Sequence, residues 1–381
     1  LPDLTVLDIS HNRLTKLPKE IGQLSNLSCL YIFQNQLTEI PKEIGQLSEL
    51  EELYLDHNQI EALPTELGQL SKLMRLYLHQ NKLTSIPKEL GQLSKLTALY
   101  LFQNKLSSVP RELGELSNLL VLYLHQNQIA RIPKELGKLL KLKTLHLFSN
   151  RLISIPKELG CLRELTELYL FHNELTSIPN ELSQLCKLGI LYLQNNKLTK
   201  IPKELGQLSN LTELYLSNNQ LISLPKDLKD LSKLTRLYLH GNNKLKISNE
   251  ILGPDRQGVY SGEAPTKPED ILNYYFRVQT SLYPLNEAKL ILVGFGNVGK
   301  TSLTNRLIHN IFDPDSKKTE GINIIQWLLQ LNQTEDITLH VWDFGGQEIM
   351  HSTHQFFLTE RSLYLLVLNG RQGHADTAAE D

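Results

Sequence analysis

The sequence predicts an α/β chain of two architectures: a curved solenoid of eleven 23-residue repeats, then part of a P-loop domain built on a doubly wound parallel sheet. Three observations carry this reading. An asparagine recurs every 23 residues from Asn12 to Asn242. A continuously apolar stretch, Leu290–Val293, runs into a Gly-rich turn that ends in Lys300-Thr301-Ser302. Beyond it, apolar runs of strand length follow one helical stretch and reach Leu368. The chain therefore divides into a solenoid over 1–247, a cap and connector over 248–288, and the N-terminal part of a second domain over 289–381.

The repeat unit reads L-x-x-L-Y-L-x-x-N-x-L-T-x-I-P-K-E-L-G-x-L, the leucine-rich-repeat signature. In Leu76-Tyr77-Leu78 leucines alternate with an outward tyrosine, as in a short strand with one buried face. Asn81 is expected to turn the chain and bond open backbone groups with its amide. Leu83 and Ile86 point inward, Pro87 opens a short helical piece with its fixed φ, Glu89 suits the first turn, and Gly91 ends it. One unit cannot bury its own leucines, whereas stacked units can, with a parallel sheet along the concave face.

That face carries an unusual residue set. Tyr31, Tyr54, Tyr77, Tyr100, Tyr123, Tyr169, Tyr192, Tyr215 and Tyr238 form one outward column, broken by Asp8 and His146. Two positions on stand Phe33, Asp56, His79, Phe102, His125, Phe148, Phe171 and His240. An aromatic stripe flanked by imidazoles suits a protein or peptide ligand, and it equally suits a ring ladder that stacks on itself. His146 is the deviation of first interest, and His79 and His125 lie two repeats apart, too far to share a metal. No polar cap precedes the first repeat, which reads as a cut edge. After Asn242-Asn243 the repeat lapses. Pro268–Gln279 has Ile271, Leu272, Tyr275 and Phe276 at helical spacing, either to cover the last repeat and couple it onward or as an ordinary linker helix.

Composition narrows the function classes. At 381 residues, 41% hydrophobic and 21% charged, the chain is ordinary for soluble domains. A net charge of −2, made of +2 before Lys289 and −4 from it on, argues against a basic nucleic-acid surface in either part. The cysteines are Cys29, Cys161 and Cys186, without C-x-x-C spacing, as in a reducing compartment. With no apolar run long enough to span a bilayer, the expected location is cytoplasmic.

The second domain carries the chemistry. Gly294, Gly299, Lys300 and Thr301 satisfy G-x-x-x-x-G-K-[ST] directly after a buried-strand pattern. Glycines let backbone N–H groups converge on an anion, and the helix opening at Gly299 turns its positive end to the same place. Lys300 is expected along the β/γ-phosphates and Thr301 on Mg²⁺. Strands are expected over Gly321–Leu331, Ile337–Asp343 and Ser362–Leu368 after a helix over Lys300–Asn310. At the end of the second of these strands, Asp343 opens D-F-G-G-Q: an acid for Mg²⁺, Gly346 with a bare N–H for a γ-phosphate, and Gln347 to orient water. Thr319 sits where a Ras-like switch places the threonine that closes over Mg²⁺, and a plain loop threonine is the alternative. His351 and His354, three apart, have no third ligand nearby.

Together the repeats, the connector, GFGNVGKTS (Gly294–Ser302), TEGI (Thr319–Ile322), WDFGGQE (Trp342–Glu348) and HSTHQFFLTERSLYLLV (His351–Val367) resemble the Roco family, whose G domain is called Roc. The resemblance implies a Ras-like domain that binds GTP/GDP with Mg²⁺ and hydrolyses GTP, followed by a COR dimerisation domain that would make a homodimer and, in some members, a protein kinase. It implies that Gly296, Asn297, Val298, Gly299, Lys300, Thr301 and Ser302 line the phosphates. Thr301, Thr319 and Asp343 would serve Mg²⁺, Gly346 and Gln347 the γ-phosphate end, and Gln347 and Lys300 would be the catalytic pair. The sequence reaches Asp381 before any [NT]-K-x-D strand end, so guanine selectivity rests on the resemblance, and the far side of the first strand is expected to lie unpaired. Two other classes compete: a repeat scaffold whose P-loop domain holds nucleotide without hydrolysing it, and an immune-type signalling ATPase. The ATPase needs a second acid after Asp343, where Phe344 stands. The chain could also be the regulatory part of a Roco kinase.

Overall fold

A computed structural model describes residues 3–280, 287–293, 298–312, 322–332, 335–344 and 362–367. The chain forms two units that divide between Gln279 and Thr280.

The first unit is the solenoid. Eleven three-residue strands, β1 (Val6–Asp8) to β11 (Arg236–Tyr238), form one parallel sheet in sequence order. Pairing keeps the 23-residue register without slip, so Tyr54 lies beside Tyr77 and Leu53 beside Leu76. Behind the sheet the inward leucines make one continuous core; Leu76, Leu78, Leu83 and Leu90 are fully buried. Asparagine closes each turn as the sequence predicts. Asn81 Nδ2 donates to Leu55 O at 2.9 Å and Leu78 O at 3.1 Å, and its Oδ1 accepts from Ile60 N at 3.0 Å. From Asn35 on, each amide thus satisfies backbone groups of its own repeat and the one before. The residue before each asparagine takes left-handed backbone, with Gln80 at φ 54°. Residues that tolerate it stand there in several repeats, with Asn195 and Asn218 in the ninth and tenth and Gly241, at φ 74°, in the last.

Two details of the repeat differ from expectation. The helical piece is a 3₁₀ turn, Lys88–Gln92 in the fourth repeat, and Pro87 precedes it in extended backbone (φ −68°, ψ 143°), its carbonyl accepting from Leu90 N at 3.2 Å. Gly91 lies inside this turn and does not end it. A Cβ there would stand 2.3 Å from Glu112 O in the next repeat, so glycine is required by close stacking. In the tenth repeat Lys229 takes the place, and its Nζ donates to Asn273 Oδ1 at 2.7 Å in the segment that ends the stack.

That end is built by α1 (Asn249–Leu252), α2 (Arg256–Tyr260) and α3 (Pro268–Thr280). Ile271, Leu272, Tyr275 and Phe276 of α3 are buried in the solenoid core, and Tyr275 Oη accepts from Leu224 N at 3.2 Å. α3 therefore covers the last repeat.

The second unit holds a four-stranded sheet of β12 (Glu287–Val293), β13 (Ile322–Asn332), β14 (Glu335–Phe344) and β15 (Ser362–Leu366), in the order β13-β14-β12-β15. β12 is parallel to both neighbours, while β13 runs antiparallel to β14, so the sheet is parallel except at one edge. A two-residue connection allows only a hairpin there, which the alternation pattern did not convey. The first strand is paired on both sides, contrary to the expectation of an unpaired flank; β13 and β15 are the edges among the described residues. α4 (Lys300–His309) follows β12.

No helix among the described residues is long and apolar enough to cross a membrane. Cys29, Cys161 and Cys186 are free thiols.

Candidate functional site

The second unit brings two distant motifs together. Parallel pairing of β12 with β14 sets Leu292 beside Asp343, so the acid emerges at the same carboxyl end from which the chain leaves β12 for α4. In parallel α/β sheets this edge is where ligands bind, because the loops leave it and the helix N-termini face it. Gly299 caps α4 at φ 91°, a left-handed conformation that excludes most side chains even though a Cβ would meet none of the described residues within 4 Å. Lys300 opens the helix and Thr301 follows.

Three polar groups converge there. Thr301 Oγ1 donates to Asp343 Oδ2 at 2.5 Å. Asp343 is completely buried and Lys300 is 6% exposed. Burial pulls the Lys300 ammonium below the usual lysine range, and the Asp343 charge pulls it back up. A buried ammonium at the opening of a helix, with a hydroxyl and a carboxylate beside it, offers an anion a cation and a metal ion two hard oxygen donors. Thr304, which sequence reasoning passed over, is also buried, but its hydroxyl turns back to Lys300 O at 3.0 Å and belongs to the helix.

Of the other predicted residues, Val298 and Gly299 lie at the start of α4 and Ser302 in its first turn. Gly294, Gly296, Asn297, Thr319, Gly346, Gln347, His351 and His354 lie outside the described residues.

On the solenoid, the concave rings form two ladders. Tyr54 stacks on Tyr77 at 4.1 Å between centroids, and Tyr77 on Tyr100 at 4.5 Å. In the second column His79, Phe102, His125, Phe148 and Phe171 stack in series at 4.2 to 4.4 Å. His146 stands in the tyrosine column, stacked on Tyr123 at 3.9 Å. His79 and His125 lie against opposite faces of Phe102 and share no ligand position. The ladder is not uniform along its length. The Arg256 guanidinium of α2 lies over Tyr192 at 5.3 Å and Tyr215 at 5.5 Å, and Val259 packs on the same rings. Tyr192, Tyr215 and Tyr238 are buried, whereas Tyr31 to Tyr169 are half-buried. Asp56 and His57 lie next to His79.

Known proteins match both units. The family model described as "Ras of Complex, Roc, domain of DAPkinase" matches residues 289–380, and leucine-rich-repeat models match residues 2–60, 32–131, 117–175 and 186–243. The probable serine/threonine-protein kinase pats1 of Dictyostelium discoideum is 41% identical over 106 residues, which are 21% of this chain and 3% of that protein. A Roc-COR-CHAT protease from an unknown prokaryotic organism is 35% identical over 119 residues, 28% of this chain and 11% of that one. The chain thus spans a small part of the length of these relatives. A solved leucine-rich-repeat protein of Leptospira interrogans is 41% identical, with a TM-score of 0.54 over 63% of this chain and 67% of that one. With leucine-rich repeats in the first unit and a Roc domain in the second, the chain belongs to the Roco family.

Proposed function

We propose that the Roc unit binds GTP and GDP with Mg²⁺ and hydrolyses GTP, and that the repeats couple this cycle to a protein or peptide held on their concave face. The observation that carries the reading is the meeting of Lys300, Thr301 and Asp343 at one end of the parallel strands.

The roles follow from the side chains. Lys300, little exposed to solvent, meets phosphate oxygens with a desolvated ammonium, which strengthens the attraction over that of a surface lysine. Gly299 holds the turn that points the first N–H groups of α4 at the anion. Thr301 and Asp343 are the oxygen donors for Mg²⁺, which when bound neutralises phosphate charge. Gly346 and Gln347 are assigned their γ-phosphate and water-orienting roles, and Thr319 its switch role, on motif alone. A hydrolytic reading is favoured over the immune-type ATPase because Phe344 leaves Asp343 without the adjacent acid.

For the repeats, the half-buried rings from Tyr31 to Tyr169 offer the flat, rigid apolar surface that peptide ligands use. The free thiols fit a cytoplasmic location. Similarity to a protein named a serine/threonine kinase favours one further reading, in which this chain is the regulatory part of a longer Roco kinase and dimerises through a COR domain.

The test is nucleotide turnover by the complete protein. Mg²⁺-dependent GTP hydrolysis that is lost in Lys300→Ala is expected; ATP turnover with GTP untouched would overturn the assignment. GTP retained unchanged over hours, with a partner still bound, would instead favour the scaffold.

A further inference from the structure

The third repeat departs from the others at one concave position. The column of Phe33, Phe102 and Phe148 holds a carboxylate once in eleven repeats, at Asp56. Its neighbour His57 stands at the left-handed turn position that Gln34, Gln80 and Gln103 fill in nearby repeats and that His11 and His172 also hold. His79 follows Asp56 in the same column one repeat on. Asp56 interrupts the ring ladder and receives two imidazoles in its place. His57 Nδ1 lies 2.8 Å from Asp56 Oδ2, and His79 Nε2 lies 3.5 Å from the same oxygen.

The group is well held. The backbone N–H of His57 donates to His79 O at 3.1 Å, tying the two turns together. His79 is stacked on Phe102 at 4.2 Å and meets His57 edge-on at 5.4 Å. Asp56 is 7% exposed. Burial, more than the opposing charge of Asp56, holds His79 below its ordinary pKa.

We propose that Asp56, His57 and His79 form a binding site for Zn²⁺, separate from the nucleotide. One donor atom from each residue lies within 4.8 Å of the other two. Bonds of ~2.0–2.2 Å at a tetrahedral angle separate donors by about 3.3 Å, between the two measured separations. Two imidazoles with one carboxylate select zinc-class ions over Mg²⁺ or Ca²⁺, which require an all-oxygen shell. The His57 side chain is 39% exposed, so the fourth position opens to water or to a donor atom from a partner on the concave face.

The repeats themselves supply the controls. His57→Gln and His79→Phe install the residues found at the same positions in neighbouring repeats, and Asp56→Asn keeps size while removing charge. The probe is Co²⁺, followed by its visible absorption in the full chain with its three cysteines alkylated. One Co²⁺ per chain, displaced by Zn²⁺ and not by Mg²⁺, is expected, with affinity falling at least ~10-fold in each variant while the far-ultraviolet circular dichroism stays unchanged. Absence of binding in the wild type, wild-type affinity in any one variant, or displacement by Mg²⁺ would overturn the site.

Discussion

The Thr301 hydroxyl donates to Asp343 Oδ2 at 2.5 Å, joining the start of α4 to the end of β14 across 42 residues of chain. Two motifs that chemistry assigns to one triphosphate are thereby in direct contact.

The contact separates hydroxyl from bulk. Thr301→Ser keeps the donor and is expected to keep Mg²⁺-dependent nucleotide binding, while Thr301→Ala loses it. Lys300→Ala, which removes a charge-assisted contact to phosphate, is expected to weaken GTP binding by about 10- to 100-fold. Titration with a fluorescent GTP analogue measures each. Equal losses in Thr301→Ser and Thr301→Ala would assign the effect to packing.

The asparagine ladder makes a stability prediction. Asn127 Nδ2 donates to Leu101 O and Leu124 O, both at 3.0 Å, and its Oδ1 accepts from Leu106 N at 3.0 Å. Asn127→Ala removes all three partners from buried backbone groups and is expected to cost about 3 kcal/mol. Urea unfolding checks this, and a loss below that of an exposed substitution such as Lys141→Ala would contradict it.

Much of this was legible because a period of 23 fixes register, and register fixes which leucines are buried. Asn81 declared its role for the same reason: only a side-chain amide both donates and accepts at a turn. The role of Gly91 was not legible, since a C-cap glycine and a close-approach glycine look alike until the neighbouring repeat is in place. Nor was the reach of Arg256 over Tyr192, a contact between residues 64 apart with no periodic trace. In the second unit the Lys300 and Asp343 motifs announced each other, whereas the antiparallel β13 depends on a short connection that apolar patterning does not encode.

The close approach at Gly91 can be tested directly. A methyl group there would stand 2.3 Å from Glu112 O, so the two repeats must part. Gly91→Ala is expected to cost about 1–3 kcal/mol, the range for forced overpacking. Ser183 occupies the equivalent position in the eighth repeat, so the stack tolerates a Cβ there. A thermal midpoint equal to wild type would show that the stack slides freely.

His146 supplies a pH dependence of known sign. Burial lowers its pKa from the ordinary 6.5 to about 3, and His125 in the adjacent column falls to about 4 for the same reason. Between these values and 6.5 the unfolded chain binds protons that the folded chain refuses. Stability is therefore complete above about pH 6.5 and declines as pH falls toward the folded-state values. His146→Tyr restores the residue that nine other repeats carry in this column and removes one of the two groups. The drop in thermal midpoint from about pH 7 to about pH 4 is expected to be at least ~2 °C smaller in this variant than in wild type. An identical drop in the two proteins would place the acid sensitivity elsewhere, with His125→Phe as the next substitution, since Phe102 and Phe148 flank it in the same ladder.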